Sequence, residues 1–157
     1  MQGNPIFMEK AIALATENVT SGRGGPFGAV IVRDGAVVAT GVNQVTALKD
    51  ATAHAEVMAI RNACAALGAF ELRGCQVYTS CEPCPMCLAA IYWARCEAIF
   101  YSGTSADAAA AGFDDAFLYD EIKRPVAARG IPAARMLAEK ATESFDAWKK
   151  QAERVDY

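Results

Sequence analysis

The chain holds one histidine, His54, two residues before Glu56, and further on Cys81, Cys84 and Cys87 recur at strict three-residue spacing. His54 and Pro83-Cys84 each fall where a helix is expected to begin after a strand or loop. A helix start offers unpaired amides and a positive potential. Such a place lowers the pKa of a thiol, and thiolate is the form that ligates metal. Cys84 and Cys87 can converge on one ion from the first turn of their helix, and His54 from the other helix completes a three-ligand set. Two sulfurs with one imidazole favour Zn²⁺. Three protein ligands leave the fourth position to water or hydroxide, and Glu56 has the chemistry to move that water's proton. Each segment alone is weak evidence, since Cys-x-x-Cys also serves as a redox pair or as core packing. A closed structural site with Cys81 as fourth ligand is the alternative, which would make the chain a zinc-stabilised module without activity.

Six cysteines in a chain of 157 residues do not require a disulfide framework, because this length supplies a real core. Hydrophobic content of 54% excludes intrinsic disorder. The polar opening Met1–Pro5, followed by Glu9 and Lys10, lacks the form of a signal peptide, and no stretch approaches the roughly 18 apolar residues of a membrane span. A cytoplasmic location with reduced thiols is expected, with Cys64, Cys75 and Cys96 in packing roles. The net charge of −3 argues against a protein that grips nucleic acid through its overall field.

Asn4-Pro5 opens a helix that should end near Ser21-Gly22. The β-branched runs on either side of Asp34-Gly35 spell a hairpin. Thr52 to Leu67 reads as a helix stopped by Gly68, and Gln76 to Thr79 as a strand. Pro83 should start a helix through Trp93, with a strand at Glu97 to Ser102. Ala108 to Ala111 suits one helical turn, and Gly112 to Asp115 a loop entering a short helix. Lys123 to Pro132 suits a connector, Ile131 to Leu137 a strand, and Ser144 the cap of a last helix reaching about Arg154. Strands alternating with helices give an α/β domain of two or three layers.

His-x-Glu together with Pro-Cys-x-x-Cys is the zinc-deaminase signature. The chain resembles the bacterial guanine deaminases of the cytidine deaminase superfamily, over nearly its whole length. The likeness is densest in Gly24–Val30, Thr52–Glu56, Thr79–Cys87 and Ala90–Arg95. Ala111-Gly112-Phe113-Asp114-Asp115 and a terminal Tyr157 resemble the guanine deaminase branch in particular. This resemblance implies a cytidine deaminase-like α/β fold, a five-stranded mixed sheet sandwiched between helices. It implies one domain over residues 1–157, and a homodimer in which about 131–157 is exchanged across a hinge at Lys123 to Pro132.

The resemblance further implies one Zn²⁺ per subunit on His54, Cys84 and Cys87, with water or hydroxide as fourth ligand. Glu56 is then the proton shuttle, and Asp115 a carboxylate that engages the substrate or assists proton transfer. Asn43 would hydrogen-bond the purine, Phe27 and Trp93 would wall it, and the Ala55 amide would hold its reacting edge. Tyr157 would reach the partner's pocket. The activity implied is hydrolysis of guanine to xanthine and ammonia by attack of zinc-bound hydroxide. Guanosine, cytosine, adenine or triazines, and adenosine in transfer RNA, stay open as substrates, because pocket shape decides among them.

Overall fold

The structure is a computed structural model that describes residues 2–157. It contains two compact units, residues 1–119 and 120–157.

In the first unit, helix α1 (Pro5–Thr20) begins where Asn4 accepts a hydrogen bond from the Ile6 amide through its side chain, with Pro5 in the first turn. Strands β1 (Gly28–Arg33) and β2 (Ala36–Val42) form the expected hairpin. Its two turn residues, Asp34 and Gly35, both take positive φ, 52° and 75°, the left-handed backbone region in which a two-residue loop matches the right-handed twist of its strands. A short helix α2 (Val45–Leu48) follows, then α3 (Ala55–Leu67), β3 (Cys75–Cys81), α4 (Pro85–Trp93), β4 (Ala98–Gly103) and α5 (Ser105–Ala110), and α6 (Ala116–Lys123) runs across the boundary between the units. The sheet order is β2-β1-β3-β4, with β1 antiparallel to both neighbours and β3 parallel to β4.

Alternation along β1 explains why its run of apolar residues is buried throughout. Val30 and Val32 turn to α1 and pack with Ala11 and Tyr78. Ala29 and Ile31 turn the other way, to Ala55, Ala59 and Ala63 of α3 and Ile91 of α4. A strand covered on both faces reads as a continuous hydrophobic stretch. Glycine permits the closest approaches. A Cβ on Gly28 would strike the backbone of α1 at Ala11 and Ala15, and one on Gly41 the backbone of α3 at Ala55 and Ala59.

Five expectations change. The described residues form a sheet of four strands, not five. Residues 131–137 lie outside it, exposed, since Pro132 has no N–H for a ladder and Leu137 sits at φ 51°. Helix α3 starts at Ala55 rather than Thr52, because the Asp50 side chain accepts from the Thr52 amide at 2.8 Å and holds a turn there. Helix α4 starts at Pro85 rather than Pro83: the ring of Pro85 keeps Cys84 extended, at φ −63° and ψ 166°. Ser144 lies inside the last helix, α7 (Glu143–Lys150), whose cap position is Thr142 and which ends before Arg154.

The second unit is tied locally by Glu121, which accepts from Arg124 Nη1 and from the Gly130 amide, each at 2.7 Å. Trp148 meets Tyr157 edge to face at 6.3 Å. Ile131 and Met136 stand 83% and 82% exposed. Among the described residues no helix is long and apolar enough to cross a membrane.

Candidate active site

Later starts for α3 and α4 put both motif heads at helix caps. His54 is the cap residue of α3 and Cys84 that of α4. His54 Nδ1 lies 3.6 Å from Cys84 Sγ and 3.5 Å from Cys87 Sγ, and the three donor atoms fall within 4.8 Å of one another. Two sulfurs and one imidazole nitrogen at this spacing fit a zinc ion. Cys81 Sγ donates instead to the Thr104 carbonyl at 3.5 Å. Among the described residues the cluster has these three donors, which matches an open site rather than a closed one.

The thiols divide their charge. A hydrogen bond from Cys87 lowers the Cys84 pKa to about 4, with help from His54 and against burial. The same hydrogen bond, with burial, pushes Cys87 up. His54 is raised, chiefly by its hydrogen bond to Cys84. Glu56, on the first turn of α3, is 5% exposed. Burial pushes its carboxyl up, while Oε1 accepts from the Thr79 hydroxyl at 3.0 Å.

These groups face a cavity of about 680 Å³. His54, Glu56 and Cys84 line one wall, with Phe27, Asn43 and Asp115. Asn43 is held at both ends, by its amide donating to the Phe27 carbonyl at 3.1 Å and by its side-chain oxygen accepting from the Val45 amide at 3.3 Å. The next amide, Gln44, donates to the Ala53 carbonyl at 2.9 Å, tying this stretch to the residue before His54. Asp115 is raised by burial and then by the negative charge of Cys84. Ala55, fully buried, is the first residue of α3, so its N–H has no acceptor within the helix. Trp93, at the end of α4, is 63% exposed and is not part of the lining, and Tyr157 belongs to the second unit.

Sequence reasoning assigned no role to several residues that shape this site. Phe113 meets Phe27 edge to face at 5.0 Å and supplies an aromatic wall; the Gly112-Phe113 pair in the branch-specific motif was the available signal. Thr79 fixes Glu56 from β3, and no local pattern announces it. Glu82 and Asp114 join Glu56 and Asp115, so the ionisable groups along the wall are carboxylates, thiols and one imidazole, without lysine or arginine.

A sulfur-and-imidazole cluster at two helix caps, with a buried glutamate beside it, defines a zinc-dependent deaminase site. Residues 1–103 match the cytidine and deoxycytidylate deaminase zinc-binding region, and the chain belongs to that family. It is 54% identical to the guanine deaminase of Bacillus subtilis (strain 168) over 151 residues, 96% of this chain and 97% of that one. The X-ray structure of the Bacillus subtilis guanine deaminase superposes with a TM-score of 0.96 at 52% identity, covering 99% of each chain. The tRNA-specific adenosine deaminase of Agrobacterium fabrum is 50% identical over 76 residues, 48% of this chain and 50% of that protein.

Proposed function

We propose that this protein is a guanine deaminase that hydrolyses guanine to xanthine and ammonia. One observation carries the reading: an open His-Cys-Cys cluster with a buried carboxyl faces a cavity suited to a flat base. The full-length likeness to the Bacillus subtilis guanine deaminase supports guanine as that base.

His54, Cys84 and Cys87 would hold the zinc, which supplies a water acidified to near neutrality. With a water at that position, Glu56 would move one of its protons to the ring nitrogen beside carbon 2 as the oxygen adds to that carbon. It would then carry the second proton, from the new hydroxyl on carbon 2, to the amine, whose C–N bond breaks to release ammonia as the carbonyl of xanthine forms. The Thr79 hydroxyl orients the carboxyl for both transfers. Phe27 and Phe113 clasp the purine, and the Asn43 amide and the Ala55 N–H hold its polar edges. Asp115 engages the amine edge or assists the proton transfer. An anionic wall suits a neutral base and repels a phosphate chain, which disfavours RNA.

The chain then works as a homodimer, one zinc per subunit. Residues 131–157 cross to the second subunit over a hinge at Lys123 to Pro132, so that Tyr157 closes the partner's pocket and Trp93 completes a wall. The exposed Ile131 and Met136 support this, as apolar side chains that a second chain would cover.

The deciding experiment measures ammonia release by zinc-replete protein from guanine, guanosine, cytosine, adenine, amino-triazines and an adenosine-bearing RNA hairpin. Guanine should have the highest kcat/KM. No turnover of guanine, or faster deamination of the RNA, would overturn the proposal.

A further inference from the structure

Asn18 lies on the last turn of α1, fully buried, outside the metal cluster and away from every motif that marks the site. Its side-chain amide donates both protons to backbone carbonyls: to Gly25 at 2.9 Å and to Asn43 at 2.8 Å. Its own carbonyl accepts from the amides of Arg23 and Gly24, at 3.0 and 3.3 Å. One residue thus grips the 22–27 loop and the end of β2, both of which line the cavity.

The fit leaves no slack. A Cβ on Gly24 would strike the Asn43 carbonyl and come within 2.9 Å of Asn18 Nδ2. A Cβ on Gly25 would rest 3.5 Å from the side chain of Asn43. Among the described residues no group donates to Asn18 Oδ1. An apolar side chain would pack here without leaving a buried oxygen unpaired, so the two N–H donors are what this position uses.

We propose that Asn18 is a positioning residue for the purine site: it locks the Asn43 backbone to the Gly24-Gly25 turn, so that the Asn43 side chain and the Phe27 wall meet the base in one fixed arrangement. This rests on the reading that Asn43 binds the purine. Loss of the clamp weakens substrate binding and leaves the metal and Glu56 untouched, which is a KM effect.

A double-mutant cycle with zinc-loaded enzyme tests it. Asn18→Ala should raise KM for guanine roughly tenfold and change kcat less than about twofold. In an Asn43→Ala background the same change should raise KM by clearly less than in the wild type, because the Asn43 contact is already gone and only the placing of Phe27 remains to be lost. Multiplying effects, an unchanged KM, or a kcat falling in step with bound zinc would refute the clamp.

Amide exchange provides an arm independent of substrate. Asn18→Ala should speed exchange across 22–27 and 43–46 while β3 and α4 keep their protection. No change in those segments, or uniform acceleration, also refutes it. If the wild-type enzyme leaves guanine intact, the guanine reading falls, and the exchange result still decides the clamp. Should Asn18→Ala not accumulate as folded protein, Asn18→Ser keeps one donor and carries both arms.

Discussion

Glu56 sits between two demands. The proposed shuttle role asks that its carboxyl be buried, so that a proton is not lost to solvent, yet a buried carboxyl needs partners, and Thr79 supplies one at 3.0 Å. Its carboxyl also hydrogen-bonds Cys87, and glutamine keeps the size and hydrogen-bonding capacity of that side chain, so the shuttle and the ligand set can still be separated by mutation. Glu56→Gln should keep about one zinc per chain by metal analysis while ammonia release falls by a factor on the order of 10³. His54→Ala should lose the zinc itself, and Cys81→Ala should keep it, because Cys81 Sγ serves Thr104. A Glu56→Gln variant with near-normal turnover would remove the shuttle role. The residues named by local spacing, His54, Glu56, Cys84 and Cys87, were legible because a helix start fixes their geometry within one turn. Thr79 and Asn18 were not, since each owes its part to a partner 23 or 25 positions away.

At the scale of elements, legibility followed the strength of the local signal. The Asn4 cap, the Asp34-Gly35 turn and the Gly68 stop each carry their own conformational reason, and each stands where the sequence put it. The early starts expected for α3 and α4 gave way to Asp50 and Pro85. The expected strand at 131–137 did not form, as Pro132 and exposure work against a ladder. Helix α5 carries a cap of measurable consequence: Thr104 Oγ1 and Asp107 form a reciprocal box, with the Thr104 amide donating to Asp107 Oδ2 at 2.8 Å. That hydrogen bond, then one from the Thr104 hydroxyl, holds the Asp107 carboxyl below its usual 3.8. A depressed folded pKa means the contribution is complete above the usual value and fades as pH falls through the folded one. Protection of the 104–108 amides should therefore drop as pH falls below the usual carboxylate value of 3.8, and Asp107→Asn should flatten that profile. A wild-type profile already flat would show that the box adds nothing.

For the whole molecule, the proposed exchange of the tail makes a demand on pairs of chains. If residues 131–157 complete the partner's site, a chain truncated after Gly130 lacks activity alone, and full-length Glu56→Gln also lacks it. Refolded together they should regain activity, because the tail of one chain completes the intact catalytic half of the other. Each mixed dimer contains one complete site, so turnover should recover to a sizeable fraction of wild type. A mixture as inactive as its components would exclude exchange. The sequence suggests this exchange only through likeness to relatives, because an exchange is decided by where a tail lands and not by its local propensities.

The glycine contacts in the β1–β2 hairpin have a further consequence. Gly28 admits α1 on one face and Gly41 admits α3 on the other, backbone against backbone, and Gly41 pairs with Ala29 next to Gly28. Two helices are thereby seated on adjacent rungs of one hairpin, and α3 carries His54 at its head. A methyl group at either position would lift a whole helix, and at Gly41 the helix lifted is the one that carries the imidazole, so the site would shift although none of its own residues had changed. The positions least open to change in this protein therefore extend beyond those that touch substrate, and a survey of tolerated substitutions would score structural glycines alongside the metal ligands.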